Sequence, residues 1–438
     1  MYRVSAALLL TGVGVFAAPT FNKDVLPIVQ KHCQECHRPG EIAPFSLLTY
    51  TDARPWARAI KSAIVTEKMP PWFADARVGH FANDRRLSAA EIATLTAWVD
   101  AGAPEGDKKD APPPRTFQDG WNIKPDMIIE MPKDFHVAAT GTINYQNILV
   151  NAHFDEDKWV VAAEMRPGNA KVVHHMRAIV RPPDSAWMRS AVPGEAYEEG
   201  SEAMAGAKEG TDLLGKYNPG LGAQTFDIDG SAKFVPKGSD IVFNIHYTSV
   251  GTPETDRSKV GLVFAKNPPK QRYWMSPGTP AAFNLAIPAG DSNAEVVSEV
   301  TVGVDTVKLV YIQPHLHLRG KDYEVRLLYP TGESETVFKG KWNFDWQIGY
   351  QLAKPIPLPK GTRIRTIAHY DNSANNKYNP DPTKTILWGD QNWDEMQSGF
   401  IGLVIDMKTD VTQVFKASGP SLLPRGKFGP TLAAVESK

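Results

Sequence analysis

The stretch FNIHY at residues 243–247 alternates apolar and polar side chains, which is the period-two pattern of a half-buried β-strand. From Trp121 onward, similar runs lie between turns rich in Gly, Pro and Asp. They occupy residues 126–131, 158–165, 307–312, 323–329, 363–370 and 399–406. Many short strands without long intervening helical patterns are typical of β-sandwiches. The sequence therefore predicts two all-β sandwich domains in this part of the chain.

Composition agrees with a β-rich globular protein. The 438 residues are 42% hydrophobic and 22% charged, with 35 prolines, 34 glycines and two cysteines. These values exclude a disordered, collagen-like or disulfide-stapled protein. The 48 Lys and Arg residues nearly cancel the 49 Asp and Glu residues. Because no overall basic field exists, nucleic acid and an anionic membrane surface are not expected partners.

The N-terminus has the pattern of a secretory signal peptide. Arg3 precedes an apolar stretch, and Val15-Phe16-Ala17 resembles a small-residue cleavage site. The alternative, an uncleaved anchor, needs roughly 20 apolar residues to span a bilayer. This stretch is shorter, and no other segment is long and apolar enough to span. We therefore expect residues 1–18 to be removed, leaving a periplasmic or secreted protein without a transmembrane segment.

Both cysteines lie in one short motif, Cys33-Gln34-Glu35-Cys36-His37. This CxxCH pattern attaches a c-type haem covalently: the two thiols bind the haem and the imidazole ligates iron. The alternatives are a CxxC redox pair and half of a zinc site, but no second cysteine pair remains to complete a zinc site. The sequence therefore predicts covalent haem c at Cys33, Cys36 and His37.

The residues around this motif suit a small all-α cytochrome c domain at residues 19–103. Helices are expected at residues 21–32, 52–66 and 88–101, the last beginning with a Ser88 and Glu91 capping box. Met69, in a Pro-rich loop, is the expected sixth iron ligand, with core packing as its alternative role and His80 as the competing ligand. Residues 104–120, rich in Pro and charge, read as a semi-rigid linker.

Histidines form three groups in the β-rich region. His174 and His175 are adjacent, so they can share a metal ion only at a strand end or a bulge. His246 lies in the strand quoted above. His315 and His317 have the i, i+2 spacing that places two imidazoles on one face of a strand. Each histidine taken singly is more often structural, but the ordered set favours metal binding.

The ordered set is similar to that of the copper type II ascorbate-dependent monooxygenases, the group of dopamine β-monooxygenase and peptidylglycine α-hydroxylating monooxygenase. The resemblance covers roughly residues 121–415. It implies jelly-roll-like copper domains, at residues 121–270 and 271–438, which face each other across an open cleft. By this resemblance two copper ions are bound. The electron-transfer copper is held by His174, His175 and His246, and the O₂-binding copper by His315, His317 and Met396.

Ligand chemistry agrees with this division, because three imidazoles suit copper that cycles between its oxidation states and a thioether favours Cu(I). The alternative role of Met396 is core packing. The chain also departs from the family. No cysteine remains for disulfides. Gln313, Ser398 and Phe400 stand where the amidating enzymes bind a peptide carboxylate, so peptide amidation is disfavoured. Tyr247, Gln313 and Asp394 are candidates for supporting or substrate roles.

These features predict an exported copper- and O₂-dependent monooxygenase that hydroxylates a C–H bond of a small organic substrate. Electrons are expected from an ascorbate-like reductant or a periplasmic redox protein, through the fused haem. The alternative is a non-catalytic haem and copper protein for electron transfer or copper binding. A third possibility is reductive or peroxide chemistry at the same sites.

Overall fold

The computed structural model describes residues 18–117, 120–198, 212–276, 278–389 and 391–417. Nearly all of the predicted signal peptide, residues 1–17, lies outside the described residues. The chain forms two compact units, one comprising Met1–Pro70 with Arg86–Thr116 and the other Pro71–Arg85 with Phe117–Lys438. Across the described ranges, no helix is both long and apolar enough to cross a membrane.

The first unit contains short helices around a small apolar core that includes Phe21, Leu95 and Trp98. The helices are α1 (Leu26–His32), α2 (Tyr50–Ala53), α3 (Ala57–Val65) and α4 (Ala89–Asp100), with helical turns at Phe21–Val25, Arg54–Trp56 and Lys108–Asp110. The predicted capping box at α4 is confirmed, since the Ser88 side chain accepts from the Glu91 amide and the Glu91 side chain accepts from the Ser88 amide.

The predicted linker, residues 104–120, is largely docked on this unit. The amide of Phe21 donates to the carbonyl of Pro104 at 2.9 Å, and the Trp98 indole donates to the same oxygen at 3.0 Å. The Gln30 side chain donates to the carbonyl of Pro113. Proline-rich composition indicated an extended backbone, but it carried no information on these hydrogen bonds.

The second unit consists of strands and loops. The strands are β1 (Met127–Glu130), β2 (Phe135–Val137), β3 (Gln146–Val150), β4 (Lys158–Arg166), β5 (Val173–Arg181), β6 (Ala196–Glu198), β7 (Asp212–Tyr217), β8 (Gln224–Thr225), β9 (Ser231–Val235), β10 (Asp240–Tyr247), β11 (Glu254–Asp256), β12 (Lys259–Phe264), β13 (Gln271–Met275), β14 (Ala286–Ile287), β15 (Ala294–Val302), β16 (Val307–His315), β17 (Gly320–Leu328), β18 (Ser334–Lys341), β19 (Tyr350–Leu358), β20 (Arg363–Tyr370), β21 (Ile386–Leu387), β22 (Ser398–Ile405) and β23 (Phe415–Ala417), with a helical turn at Val411–Gln413.

Three larger sheets organise these strands. A nine-stranded sheet has the order β1-β12-β4-β9-β13-β22-β16-β19, with β8 paired to β4. One five-stranded sheet has the order β6-β3-β10-β5-β7, and the other has the order β18-β17-β20-β15-β23. Two large apolar cores contain most of the buried side chains of these strands. Residues of β16 and β22 contribute to both cores, which makes these two strands the centre of the unit.

The fold class expected from the sequence, a small all-α cytochrome c domain followed by two all-β jelly-roll-like sandwich domains, is wrong. The protein is mostly β-sheet, and α1, α3 and α4 have only seven, nine and twelve residues. The expected sandwiches are not separate domains, because the parallel pair of β9 and β13 joins their strands into the nine-stranded sheet. Alternation of side chains identifies strands, but it does not specify which strands pair.

The segment Pro71–Arg85, which the sequence assigned to the helical domain, belongs to the β unit, and we call it the strap. Ala74 forms a β-bridge with Gly340 of β18, and Phe81 forms one with Leu352 of β19. These two strands are the edges of different sheets. Edge strands carry unpaired backbone groups, and a covering segment satisfies part of them. The strap therefore ties two sheet edges together.

Removal of the Phe81 ring should destabilise the β unit. Phe81 is buried and its ring packs against Trp72, Phe338 and Tyr350. We expect Phe81→Ala to lower the free energy of unfolding by about 3 kcal/mol, because the truncation leaves a cavity. Urea denaturation measures this change. Phe283→Ala, at a phenylalanine that is 41% exposed, is the matched control and should cost much less. Equal losses for the two variants would show that the strap does not stabilise the sheets.

Candidate metal centre

The pairing of β5 with β10 brings three histidines together. His246 pairs with His175, and the next partners are Tyr247 and Val173, so His174 is the extra residue of a β-bulge. A bulge re-aims a side chain that a regular strand would direct to the opposite face. Adjacent histidines of a strand can share one ion only at a strand end or a bulge, and the bulge at His174 is such a place.

The three rings have the spacing of ligands to a common ion. Their centroids are 5.1 Å apart for His174 and His175, 5.7 Å for His174 and His246, and 5.0 Å for His175 and His246. With metal–nitrogen bonds of about 2.0–2.1 Å, imidazoles on one ion have ring centres on the order of 5 Å apart. The ring spacing thus agrees with a shared ligand set.

The second pair of histidines lies at the end of β16. His315 is the last residue of that strand, and His317 follows in the next turn. The ring centroids are 5.2 Å apart, and the two residues are 4% and 1% exposed. The i, i+2 spacing therefore brings the two rings together as expected, although the strand ends before His317.

The two histidine sets are in contact. The ring centroids of His175 and His315 are only 6.3 Å apart. His175, His246, His315 and His317 are all buried, and His174 is half-buried. The resemblance implies an open cleft between the two copper ligand sets. In the described structure the two sets contact each other instead. We call the five histidines together the histidine cluster.

Hydrogen bonds orient the histidines of this cluster. His175 Nε2 lies 2.8 Å from the Tyr145 hydroxyl, and His315 Nδ1 lies 2.7 Å from Gln347 Oε1. The opposite nitrogens, His175 Nδ1 and His315 Nε2, are buried and have no hydrogen-bond partner in the described structure. A metal-binding imidazole usually donates its second N–H to an oxygen acceptor. Because Gln347 Oε1 can only accept, His315 carries its proton on Nδ1 and its Nε2 is free to bind a metal, whereas the Tyr145 hydroxyl can donate to or accept from His175.

Two further ring nitrogens follow the same pattern. Among the described residues, Nδ1 of His246 and Nδ1 of His317 are buried without a partner. Hydrogen bonds between the His317 ring and the backbone of Asp394 and Gln391 act to raise the pKa of His317. Four buried ring nitrogens therefore lack partners within one cluster. Since buried polar atoms are nearly always hydrogen-bonded, such a concentration requires an explanation.

Burial also sets the protonation of the cluster. It lowers the pKa of all five imidazoles, to about 4 for His246 and to about 3 for His317. Positive neighbours, among them Arg177, lower the pKa values of His175, His246 and His315 further. The rings are therefore neutral at pH 7, which is the state in which imidazole binds a metal.

The ring nitrogens of the described histidine cluster do not surround a common point. In the described ranges, no group of three or more His, Cys, Asp and Glu side chains is arranged to hold a metal ion as it stands. The donor chemistry and the partnerless nitrogens nevertheless fit a copper-binding ligand set.

Met396, the remaining predicted copper ligand, lies beside His317 in the loop before β22. Glu395 Oε2 accepts hydrogen bonds from the backbone amides of His317 at 3.0 Å and Met396 at 3.3 Å. Glu395 Oε1 accepts from the amide of Arg319 at 2.6 Å. Burial raises the pKa of Glu395 to about 8, against the opposing effect of these hydrogen bonds. Glu395 therefore fixes the backbone that carries His317 and Met396.

The three residues predicted to support the site differ in where the structure places their side chains. Tyr247 is directed away from the cluster, since its hydroxyl donates to Asp256 at 2.8 Å and its ring stacks on Phe135. Asp394 accepts from the Gln391 amide in a turn. Gln313 supports the site indirectly, because its Nε2 donates to the carbonyl of Gln347 at 2.8 Å.

Sequence reasoning missed the residues that orient the ligands: Tyr145, Gln347 and Glu395. Tyr145 also stacks on His246, with centroids 4.7 Å apart. Neither Tyr145 nor Gln347 lies near a metal-binding motif in the sequence. Glu395 lies next to Met396, so its proximity to a predicted ligand was a signal that could have been used.

A small aromatic cleft adjoins the histidine cluster. Trp342 belongs to both, since it lines the cleft, its indole donates to the His317 carbonyl at 3.0 Å, and its ring lies 6.4 Å from His315. Other lining residues include Phe73 of the strap, Pro314, Trp346 and Tyr350. The cleft offers an apolar surface next to two predicted copper ligands.

The CxxCH motif, which the sequence predicts to bind haem, follows α1 in the first unit. Cys33 and Cys36 are not joined by a disulfide. His37 Nδ1 lies 3.2 Å from the carbonyl of Phe45, so Nδ1–H can donate while Nε2 stays available for iron. Burial lowers the pKa of His37, which favours this neutral state. These observations fit covalent haem at Cys33, Cys36 and His37.

The two candidates for the sixth iron ligand belong to different units. Met69 is half-buried in the first unit, and its amide donates to the carbonyl of Ala63. His80 is exposed in the strap, where its carbonyl accepts from the amide of Ala353. Met69 thus remains the candidate in the unit that carries the CxxCH motif.

Comparison with known proteins does not identify a family. No family model matches the chain, and no curated protein matches it. Similar solved structures include the infectious bursal disease virus VP2 subviral particle, with 8% identity, coverage of 66% of this chain and 74% of that chain, and a TM-score of 0.22. PNGF-II has 9% identity, 64% and 65% coverage and a TM-score of 0.28. The major capsid protein P2 of bacteriophage PM2 has 9% identity, 64% and 97% coverage and a TM-score of 0.25.

Loss of the side-chain amide of Gln347 should weaken metal binding without unfolding the protein. Gln347 orients His315, and outer hydrogen-bond partners of metal ligands typically contribute 10- to 100-fold in affinity. We therefore expect Gln347→Leu to weaken Cu(I) affinity by about tenfold or more in a competition titration with a coloured chelator. Gln351→Leu, at a half-buried glutamine on β19, is the control and should retain the original affinity. Equal affinities for both variants would contradict the positioning role of Gln347.

Proposed function

We propose that this protein is an exported copper- and O₂-dependent monooxygenase that hydroxylates a C–H bond of a small organic substrate. The proposal is supported most strongly by the four buried ring nitrogens without partners, on His175, His246, His315 and His317. Structural histidines are ordinarily satisfied by hydrogen bonds. Nitrogens left free by orienting acceptors are instead the pattern of metal ligands.

The proposed ligands form two sets. His174, His175 and His246 would hold one copper ion, and His315, His317 and Met396 would hold the other. The first set consists of nitrogen donors alone, whereas the second includes a thioether, which is a soft donor that favours Cu(I). When bound, copper supplies one-electron transfer and the activation of O₂.

The surrounding residues would orient the ligands and limit the access of water. Tyr145 and Gln347 hydrogen-bond to ring nitrogens of His175 and His315, and Glu395 holds the backbone of His317 and Met396. Trp342 closes one side of the cluster with its indole. Because four of the five histidines are buried, a substrate would react in a largely dry environment, which protects reactive species from hydrolysis.

Hydroxylation places one oxygen atom of O₂ in the substrate and reduces the other to water, so two electrons come from an external donor. An ascorbate-like reductant or a periplasmic redox protein would supply them through the haem proposed at Cys33, Cys36 and His37. Haem iron transfers electrons singly, as does copper. The predicted signal peptide supports the proposed exported location, because such leaders direct proteins to export.

Truncation of His315 should separate catalysis from haem binding. We expect His315→Ala to abolish reductant-dependent O₂ uptake by the copper-loaded protein and to lower its copper content from two ions to one. The haem spectrum should not change, since His315 lies outside the unit with the CxxCH motif. Oxygen-electrode measurements and metal analysis test these expectations, with the exposed His136→Ala as the control. O₂ uptake retained in His315→Ala would refute the monooxygenase assignment, and uptake absent from the unaltered protein would favour the non-catalytic copper-binding alternative.

Haem attachment can be tested separately from copper binding. We expect the double substitution Cys33→Ser and Cys36→Ser to abolish haem that survives denaturing electrophoresis, because both thiols form the covalent links. Met69→Ala should retain covalent haem but change the axial-ligand bands of the absorption spectrum. Covalent haem in the double variant would contradict the CxxCH assignment, and an unchanged spectrum in Met69→Ala would contradict the assignment of Met69.

A further inference from the structure

One loop of the β unit contacts residues of both proposed copper sets. It comprises residues 342–349, between β18 and β19, and we call it the aromatic loop. Its Gln347 Oε1 lies 2.7 Å from Nδ1 of His315, and its Trp342 indole donates to the carbonyl of His317 at 3.0 Å. The aromatic loop therefore bonds to both histidines of this set.

The aromatic loop also contacts the other proposed set. The ring of Phe344 stacks on that of His174, with centroids 5.4 Å apart and an angle of 24° between the planes. His174 is the half-buried member of the histidine cluster, and stacking restricts the rotation of its imidazole. A displacement of this one loop would disturb ligands of both proposed copper ions.

The strap holds the chain where the aromatic loop begins. The amide of Lys341, the last residue of β18, donates to the carbonyl of Phe73 at 3.1 Å. The amide of Asp75 donates to the carbonyl of Lys339 at 2.8 Å. Because these are backbone hydrogen bonds of the kind that join antiparallel strands, the strap fixes the end of β18 as a neighbouring strand would.

At the other end of the aromatic loop, the strap uses a side chain. Asn83 Nδ2 donates to the carbonyl of Gly349 at 2.8 Å, and Asn83 Oδ1 accepts from the amide of Gln351 at 2.9 Å. The amide of Ala82 donates to the carbonyl of Gln351 at 2.8 Å. A side-chain amide offers a donor and an acceptor together, as a backbone peptide does. Asn83 therefore fixes the residue at which the loop ends.

This fixed end lies close to the side chain that orients His315. Gly349 follows Gln347 by two positions, a span of at most about 7 Å along the chain. A Cβ atom added at Gly349 would overlap the hydroxyl of Tyr311, so the loop also packs closely against β16 there. The hydrogen bonds of Asn83 and this packing leave Gly349 little room to move. Such support matters, because hydrogen-bond partners of metal ligands contribute to metal affinity by orienting the ligands.

From these contacts we propose that Asn83 is a positioning residue of the copper site, which acts through the aromatic loop on His315. The strap lies outside residues 121–415, to which the family resemblance extends, so the resemblance assigns it no such role. The contribution of Asn83 to copper binding rests on the proposed function. Its effect on the orientation of the His315 ring does not, because Gln347 bonds to that ring without copper.

A competition titration with Cu(I) tests this role in the full-length protein. The step that belongs to His315 is the one that disappears in His315→Ala. We expect Asn83→Ala to weaken this step by roughly fivefold, less than Gln347→Leu, because Asn83 acts one contact further from the ligand. Asn122→Ala is the matched control and should keep the original affinity. Asn122 is also half-buried, but its amide donates to Glu164 of β4, a strand without a proposed copper ligand.

A double-mutant cycle separates positioning from a general loss of stability. If Asn83 acts through Gln347, then Asn83→Ala should weaken Cu(I) binding by less than about twofold in a protein that already carries Gln347→Leu. Losses that add in full would show that the two residues act independently, and they would overturn the proposal. Unchanged Cu(I) affinity in Asn83→Ala, or an equal loss in Asn122→Ala, would do the same.

NMR of the metal-free protein with labelled histidines gives a readout that does not depend on copper. We expect the His315 ring to be a single Nδ1–H tautomer in the unaltered protein and a mixture of tautomers in Asn83→Ala. A single tautomer in both proteins would contradict the positioning role. The tautomer change in a protein that binds no copper would refute the proposed function but support the role of Asn83. If Asn83→Ala does not fold, Asn83→Asp decides the outcome, because it keeps the acceptor for Gln351 and loses the donor to Gly349.

Discussion

The centre of the β unit depends on one constraint: five imidazoles that lie close together must remain neutral. Burial and neighbouring positive charges disfavour their protonation. Neutral rings each carry one N–H and one lone pair, so the surrounding acceptors decide which nitrogen is free. Gln347 Oε1 makes this choice for His315, and the Tyr145 hydroxyl hydrogen-bonds to Nε2 of His175. The two side chains that hydrogen-bond to these rings, Tyr145 and Gln347, are neutral, so they do not favour protonated imidazole as a carboxylate would.

The histidine cluster brings together strands of two different sheets. Strand β5 lies in a five-stranded sheet, whereas β16 lies in the nine-stranded sheet, and His175 and His315 meet between them. Two independent sandwiches could open and close relative to each other, as an open cleft requires. Strands joined through β9 and β13 in one sheet resist such motion, because separating them breaks backbone hydrogen bonds.

Much of the site could be predicted from residue types and spacing. The His315 and His317 pair, the strand of His246, and the need for a bulge at His174 all follow from the period of a β-strand. The residues that orient these histidines could not be predicted in this way. Tyr145 and Gln347 lie 30 and 32 positions away from the rings they contact. Side-chain periodicity reports which face a residue occupies, but it contains no information about which distant strand lies opposite.

Residues that are neighbours along the chain specify the local chemistry of this protein: a CxxCH motif that uses both cysteines, short alternating strands, and an ordered set of histidines with a methionine. Contacts between distant segments specify the rest: the strap joins two sheet edges, the strands of the predicted sandwiches share one sheet, and His175 lies beside His315. Those features depend on strand pairing over long sequence separations, where backbone hydrogen bonds are the same for every residue type and therefore leave no local pattern.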